Sequence, residues 1–436
     1  MTVQDTLKIP ESTAEEIQQY LILLRDLAWR VLEGAEEPLG LKKRFGHLLL
    51  HRFPEQFQLP TAYLALLAHL LDFENILLKP HQLPSGATCP DLISLCSANQ
   101  VPEPVALAEL GSLWMILGVR LKDEALLYAG LKVAIWQSYL LDHLSFPHFS
   151  LWSPAASFQS KKLGAYHYLL FTLAFHITSD PGFHKLAKLQ QIFGWDSSTL
   201  PAKLLTLVPE KVAPPVPLFA RPLAEEMTVG LLKFTTRDWS AACSLSGWNS
   251  GIFSFHKNRV SILNAGPQSG PLDSLEQFGI QRACHVTTSQ FREITWDKSP
   301  YHFRLKGWTK LFALPTWMHL DFLYESQKIT LSAHLQEGKP SDVHMVFYIR
   351  SDQVIIGGKT VLRAGGLERY SGSSVPLEFQ TGDETIFLEP QTNQPMQVIP
   401  LSGGDFFWGA HFLVVFSLGN NLGHNKEQEP FQCVIK

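Results

Sequence analysis

The segment VPEKVAPPVPLFARP, residues 208–222, contains five prolines and separates two halves of the chain that have different hydrophobic periods. Before it, leucine-rich stretches repeat apolar residues at helical spacing. After Met227, short alternating stretches are rich in Phe, Val, Ile, Thr and Trp. A proline-rich segment forms a stiff connector. The change of period therefore predicts an α-helical domain over 1–208, a linker over 209–226 and an antiparallel β-sandwich domain over 227–436.

Helical hairpins are predicted in the first half. The best-defined pair spans 103–118 and 122–143, where Gly118 ends the first helix and Lys122-Asp123-Glu124 opens the second. Short connections between helices of similar length make antiparallel hairpins. Gly34 is predicted to end the first helix of the chain. Stacked hairpins of this kind predict an incomplete α/α toroid.

The first clear unit of the second half is a β-hairpin. Strands at 251–256 and 259–264 are joined by a predicted two-residue turn that ends at Asn258, because Asn tolerates a positive φ. In that register His256 faces Arg259. One face is predicted to be core and the other to be polar. The predicted core-face residues are Phe253, Phe255, Val260 and Ile262. Many further antiparallel strands at short spacing predict a β-sandwich.

Composition limits the class of protein. The net charge of −4 does not suit a general nucleic-acid binder, which needs a basic field. No apolar run reaches eighteen residues without a charge, so no membrane span is predicted. The polar first fifteen residues lack the apolar core of a secretory signal. The expected location is the cytoplasm, or outside the cell by a route without a conventional signal peptide.

Neither a metal site nor a cofactor is predicted. The five cysteines are scattered without a CxxC pair, which favours reduced and mostly buried thiols. The sequence contains no phosphate-binding loop, dinucleotide fingerprint, nucleophile elbow or zinc-protease motif. A polysaccharide or a protein remains the expected partner.

Three clusters carry the candidate chemistry. They are a Tyr-His-Tyr run on a helix at 166–168, the pair Asp142-His143 at a helix end with His148 nearby, and the first β-hairpin with the residues that follow it. The candidate catalytic residues are Tyr166, His148 and His256. The candidate substrate-binding residues are His143, Trp152, Arg259, Asn249 and Arg282. Phenol and imidazole groups are typical of general acid–base catalysis.

A helical toroid followed by a β-sandwich resembles the layout of the heparinase II/III-like polysaccharide lyases. That resemblance implies a Tyr and a His on the toroid and a His from the early strands of the sandwich, meeting in an interdomain cleft. The matching positions are Tyr166, His143 or His148, and His256. The implied reaction is β-elimination beside a uronate, in which a Tyr or a His removes the C5 proton and the same Tyr can then protonate the leaving oxygen.

Two alternatives remain open at this point. The first is a non-catalytic scaffold of the same architecture that binds a glycan or a protein. The second is a glycan hydrolase, which requires a pair of carboxylates facing the substrate. Glu109, Asp142 and Glu124 are the helical acids in suitable surroundings, but no two of them form a convincing pair.

Overall fold

The computed structural model describes most of the chain. The described residues are 11–49, 58–74, 76–80, 104–141, 164–191, 195–212, 215–216, 231–244, 252–269, 288–299, 301–311, 317–336, 343–401, 409–418 and 430–436. They divide into two compact units. The helical unit contains the described residues up to Tyr139 and those of 164–216. The β unit contains Leu140, Leu141 and the described residues from Leu231 onward.

Eight helices lie in the described part of the helical unit. They are α1 Glu11–Glu33, α2 Pro38–Leu49, α3 Gln58–Leu70, α4 Pro104–Leu121, α5 Glu124–Tyr139, α6 Gly164–Thr178, α7 Pro181–Gln191 and α8 Leu200–Leu205. Helix α1 ends where the sequence predicts, because Gly34 adopts a φ of +67°. The next amide, of Ala35, donates a hydrogen bond to the Arg30 carbonyl at 3.2 Å and so satisfies one of the last carbonyls of the helix.

Helices α4 and α5 form the predicted antiparallel hairpin. Glycines allow the two backbones to approach closely: a Cβ on Gly118 would lie 2.6 Å from the Leu127 nitrogen. A Cβ on Gly130 would lie 2.6 Å from the carbonyl oxygen of Gly111. Late α4 thus meets early α5, and the middles of the two helices meet each other, which establishes the antiparallel direction.

The proline-rich connector begins against α6. The Val212 amide donates to the His176 carbonyl at 2.9 Å, and the Val216 amide donates to the Ile177 carbonyl at 2.9 Å. Both acceptors are among the last carbonyls of α6, which have no partner inside the helix. The first part of the connector therefore completes the hydrogen bonding of α6.

The β unit contains two antiparallel sheets. The strands are β1 Leu231–Thr235, β2 Ser240–Ser244, β3 Phe253–Lys257, β4 Val260–Ser269, β5 Thr288–Ser299, β6 His302–Leu311, β7 Trp317–Glu325, β8 Lys328–Leu335, β9 Val343–Arg350, β10 Gln353–Ile356, β11 Thr360–Arg363, β12 Tyr370–Ser373, β13 Leu377–Thr381, β14 Glu384–Pro390, β15 Pro395–Pro400, β16 Phe412–Ser417 and β17 Phe431–Ile435. In the described residues, one sheet has eight strands in the order β1-β2-β3-β4-β9-β16-β15-β12. The other has nine in the order β11-β10-β13-β14-β17-β8-β7-β6-β5.

The two sheets bury one shared core. Phe253 of the eight-stranded sheet stacks on Phe322 of the nine-stranded sheet with ring centroids 5.7 Å apart. Phe379 and Phe412 make a second ring contact between the sheets at 6.1 Å. All four residues belong to one continuous cluster of buried side chains. The predicted fold class is thus confirmed: helical hairpins come first and an antiparallel β-sandwich follows.

The faces of the sheets turned away from this core differ. Strands β9 and β16 of the eight-stranded sheet are buried at nearly every position, on both faces. Strands β7 and β8 of the nine-stranded sheet alternate between buried and partly exposed residues. A sheet that is covered on both faces reads as a continuous apolar run, whereas an open face gives alternation. The nine-stranded sheet therefore presents an open face on these strands.

The predicted register of the first hairpin is wrong by two residues. His256 pairs with Ser261 rather than with Arg259, and the turn consists of Asn258 and Arg259. Asn258 adopts a φ of +50°, so it serves as the first turn residue instead of the last. A shift of two keeps every side chain on its predicted face, because side chains alternate with period two. Phe253, Phe255, Val260 and Ile262 all lie in the shared core as predicted.

None of the described helices combines the length and the apolar character needed to cross a membrane.

Candidate functional site

The structure describes three of the predicted site residues, namely Tyr166, His256 and Arg259. The other five predicted site residues lie outside the described residues. They are His143, His148, Trp152, Asn249 and Arg282. The roles assigned to these five therefore stay predictions.

Tyr166 belongs to a polar cluster centred on Glu109, which is completely buried in α4. The Arg25 guanidinium of α1 binds the Glu109 carboxylate with both arms. Its Nε lies 2.8 Å from Oε1 and its Nη2 lies 2.5 Å from Oε2. A two-armed contact between a guanidinium and a carboxylate is the strongest and most directional form of this ion pair.

Two tyrosines complete the coordination of this carboxylate. Tyr63 of α3 is fully buried and donates its hydroxyl to Glu109 Oε1. The Tyr166 hydroxyl of α6 forms hydrogen bonds with both Tyr63 and Glu109. We call Arg25, Tyr63, Glu109 and Tyr166 the Glu109 cluster. It joins four helices through polar side chains in the interior of the helical unit, where a buried polar atom without a partner is costly.

The Glu109 cluster reaches the surface through two of its members. The Arg25 side chain is 35% exposed, whereas that of Glu109 has no exposure. Tyr166 is partly exposed, although its hydroxyl is directed to Glu109 and Tyr63. The cluster is therefore accessible at Arg25 and at the Tyr166 ring, with the charged acceptor beneath them.

The environment keeps both phenols protonated. Burial raises the pKa of Tyr166, and the negative charge of Glu109 raises it further, while the cation of Arg25 opposes the change. Burial and Glu109 likewise raise the pKa of Tyr63 well above its usual value. Burial alone would lower the pKa of Arg25, but the Glu109 carboxylate outweighs it and raises that pKa. The resting cluster thus contains a cation, an anion and two neutral phenols.

This arrangement determines which chemistry the cluster supports. A neutral phenol donates a proton or a hydrogen bond, and it acts as a base only after losing its proton. The Glu109 carboxylate is occupied by Arg25 and Tyr63. The cluster therefore supplies a proton donor at Tyr166 and a positive charge at Arg25, and a base must come from elsewhere.

The neighbours of Tyr166 on α6 have separate partners. His167 is buried and lies 3.3 Å from the Gln137 side-chain oxygen of α5. The Tyr168 ring packs on Trp195 with centroids 4.2 Å apart. Successive helical residues point about 100° apart, so three adjacent side chains reach three different surroundings. In the Tyr-His-Tyr run, Tyr166 alone belongs to the Glu109 cluster.

The hairpin residues lie in two different environments. His256 of β3 is completely buried, on the face of the eight-stranded sheet opposite to Phe255. Arg259 is exposed in the turn. The expectation that one exposed polar face carries both residues is therefore corrected. The second face of this sheet is covered at His256, and Arg259 occupies the turn rather than a strand.

Sequence reasoning missed Arg25 and Tyr63 as members of the cluster. It named Glu109 among the acids suited to a hydrolase, but without a partner. A signal for Glu109 was present, because it is the one acidic residue of α4, PVALAELGSLWMILGVRL. An acid inside such an apolar helix needs a buried partner. The sequence contains no comparable signal for which residue provides it.

Metal ligands and thiols give no further site. Among the described residues, no group of three or more His, Cys, Asp or Glu side chains is placed to hold a metal ion. Cys243 and Cys433 are buried free thiols. Burial raises the pKa of both, which makes them poor nucleophiles.

Comparison with known proteins gives structural neighbours without sequence relatives. No protein-family model matches the chain, and no curated protein matches it. A chondroitin AC lyase variant from Streptomyces coelicolor A3 is similar with a TM-score of 0.46 and 9% identity, over 91% of this chain and 62% of that chain. Heparan sulfate lyase from Pedobacter heparinus is similar with a TM-score of 0.36 and 10% identity, over 79% of this chain and 61% of that chain.

A third neighbour has another activity. The 4-alpha-glucanotransferase from Thermococcus litoralis is similar with a TM-score of 0.35 and 10% identity, over 77% of this chain and 57% of that chain. The chain spans about three fifths of the length of these solved structures. Polysaccharide lyases are thus among the solved structures that the chain resembles, as its sequence layout predicts. The similarity concerns architecture only.

Proposed function

We propose that the protein acts on an acidic glycan by β-elimination, with Tyr166 as the proton donor to the leaving oxygen. One observation carries the proposal: Tyr166 has a partly exposed ring, its hydroxyl lies inside the Glu109 cluster, and burial together with Glu109 raises its pKa and keeps it protonated. In β-elimination a base removes the C5 proton, the bond from C4 to the leaving oxygen breaks, and that oxygen takes up a proton. Tyr166 provides this last proton.

The neighbouring Arg25 suits an acidic substrate. Its side chain is 35% exposed, and its guanidinium is bound to Glu109. A cation beside a substrate carboxylate stabilises the negative charge that develops when the C5 proton leaves. The base for that proton is proposed to be His143 or His148, the two histidines that follow α5 in the sequence.

A second candidate function is glycan binding without turnover. Two observations favour it: the phenols of the cluster are held in the acid form, and His256 is completely buried. In the described part of the chain, neither the Glu109 cluster nor His256 therefore offers a group ready to act as the base. A protein of this kind would retain the glycan and release no product.

The test is turnover of chondroitin and heparan sulfate, followed by the ultraviolet absorbance of the unsaturated uronate product. Tyr166→Phe removes only the hydroxyl and is expected to lower turnover by about 10²–10⁴-fold. Tyr168→Phe is the matched control on the same helix, where the ring packs on Trp195, and it should keep full turnover.

Each result selects one function. Loss of turnover in Tyr166→Phe, with the fold intact by circular dichroism, supports the lyase. Equal turnover in both variants contradicts the role of Tyr166. Retention of the glycan without any product in the unmodified protein selects the binding function, and neither retention nor product rejects both.

A further inference from the structure

Two tryptophans and an arginine form a stacked group on the open face of the nine-stranded sheet. The Arg292 guanidinium of β5 lies 4.4 Å from the ring centroid of Trp317 and 5.6 Å from that of Trp308. Trp308 also meets His319 edge to face, with centroids 5.1 Å apart. We call Arg292, Trp308, Trp317 and His319 the Trp–Arg surface. Stacking on two indoles holds the guanidinium plane in a fixed orientation.

The register of the strands places these side chains side by side. Arg292 pairs with Trp308, and Trp308 pairs with His319, across β5, β6 and β7. Trp317 pairs with Lys310 in the adjoining row. In a sheet, directly opposed residues and residues two positions apart share one face. The group therefore forms one continuous surface rather than four separate side chains.

This surface is open to solvent. Trp308 and Trp317 are partly exposed, and they alternate with the buried residues Thr309 and Met318. Arg292 has 43% of its side chain exposed. Aromatic rings and a guanidinium at exposed sheet positions bury little core area, so the folding of the sandwich does not explain their presence here.

The charge around the tryptophans is positive. Lys306 and Lys310 flank Trp308 on β6, two positions away on either side, and point to the same face. Asp321 is already bound by both arms of Arg304, at 3.0 and 2.5 Å. Asp297 is paired with His302 at 2.7 Å. Glu293, in the bulge next to Arg292, lies 3.9 Å from its Nε.

Among the described residues of this face, the cations Arg292, Arg304, Lys306 and Lys310 therefore outnumber the carboxylates of Glu293 and of Asp321, which lies opposite Lys306. His319 does not add to the charge at neutral pH, because burial lowers its pKa and the nearby Lys306 lowers it further, while Asp321 opposes the change. The surface thus combines flat apolar rings with an excess of cations.

We propose that the Trp–Arg surface is a binding site for an acidic polysaccharide, separate from the Glu109 cluster. The chemistry selects this ligand: the C–H faces of a sugar ring stack on indole, and its carboxylate or sulfate pairs with Arg292, Lys306 and Lys310. The proposal shares its ligand class with the proposed function, but it does not depend on turnover. The surface would hold a strand of the polymer against the sheet.

The test is electrophoretic retention of the full chain in gels that contain chondroitin sulfate, with dextran as the neutral polymer. Arg292→Gln and Trp317→Ala are each expected to weaken retention by about fivefold, the equivalent of roughly 1 kcal/mol. Arg363→Gln is the charge control, because Arg363 is exposed in β11 at the opposite edge of the same sheet. Tyr301→Ala is the aromatic control, since Tyr301 is 84% exposed in the turn between β5 and β6.

The outcomes separate the alternatives. Weaker retention in Arg292→Gln and Trp317→Ala, with both controls unchanged, supports the surface. Equal weakening in Arg363→Gln, or no change in Arg292→Gln, overturns it. If the variants lose retention equally in dextran gels, the rings bind neutral sugars and the acidic ligand is overturned. If polyglutamate competes with chondroitin sulfate equally well, the site binds acidic protein segments and the polysaccharide is overturned. Failure of the lyase proposal is read from the turnover of Tyr166→Phe, and failure of this one from the retention of Arg292→Gln and Trp317→Ala.

Discussion

The Glu109 carboxylate of α4 is completely buried, whereas Arg25 of α1, whose guanidinium binds it, has 35% of its side chain exposed. The two partners therefore have different access to water. If the ion pair is broken, Arg25 can still be hydrated and Glu109 cannot. Replacing Arg25 and replacing Glu109 remove the same contact, but for this reason the two replacements should lower the free energy of unfolding by different amounts.

We expect Arg25→Met to destabilise the fold more than Glu109→Gln. Loss of Arg25 leaves a buried carboxylate without its cation, a change that typically costs about 3–5 kcal/mol. Glu109→Gln leaves a cation that can turn to solvent, at about 1–3 kcal/mol. Urea unfolding measures both. Glu124→Gln, in the exposed first turn of α5, is the control and should cost under about 1 kcal/mol. Equal losses in the two variants would contradict the difference in hydration.

Alkaline pH should destabilise the protein through the buried phenols. The folded pKa of Tyr63 and of Tyr166 is raised, so the folded state keeps these protons at a pH where the unfolded chain, with a pKa of about 10, has lost them. Stability is therefore unaffected below about pH 10 and falls as the pH rises toward the folded pKa values.

The measurement is the free energy of unfolding between about pH 8 and pH 11. Tyr63→Phe should reduce the alkaline slope, because the variant lacks one of the protons concerned. Tyr168→Phe is the control, since its ring lies on Trp195 outside the cluster. A slope that stays unchanged in Tyr63→Phe would show that this phenol titrates alike in both states.

The order of the two units and the faces of the first hairpin could be predicted from the sequence. Both follow from hydrophobic period, which is a local property. The register of the hairpin could not, because Asn258 fits either position of a two-residue turn. The two choices differ by two residues, and this leaves the face of Phe255 unchanged.

The Glu109 cluster lay beyond this kind of prediction, whereas the burial of His256 was missed. Arg25, Tyr63, Glu109 and Tyr166 come from four helices, and a single sequence does not determine which helical faces meet. For the burial of His256 a signal did exist in another strand of the same sheet. Strand β9, VHMVFYIR, is a nearly continuous apolar run, which indicates a sheet covered on both faces.

The glycines of the helical unit give opposite predictions at two positions. Gly118→Ala should destabilise the protein by about 1–3 kcal/mol, because the added Cβ would lie 2.6 Å from the backbone nitrogen of Leu127. Gly46→Ala in α2 should stabilise it by about 0.5–1 kcal/mol, since nothing lies within 4 Å and alanine is the better helix former. Thermal unfolding of both variants provides the comparison, and a stable Gly118→Ala protein would contradict the close helix approach.

The tip of the first hairpin allows backbone strain to be separated from a side-chain bond. Asn258 adopts a φ of +50°, and its side-chain Nδ2 donates a hydrogen bond to Glu384 Oε1 of β14 at 2.7 Å. Asn258→Gly keeps the backbone conformation and loses this bond, at about 0.5–1.5 kcal/mol. Asn258→Ala loses the same bond and also places a Cβ in the left-handed region, which adds about 1–2 kcal/mol.

Urea unfolding of Asn258→Gly and Asn258→Ala isolates the backbone contribution as their difference. Glu384→Gln is the control for the side-chain bond, because its amide oxygen still accepts from Asn258 and the change should cost little. Equal stabilities for the glycine and alanine variants would mean that the turn relaxes out of the left-handed region. A large loss in Glu384→Gln would instead show that the negative charge, and not the hydrogen bond, holds the hairpin tip to β14.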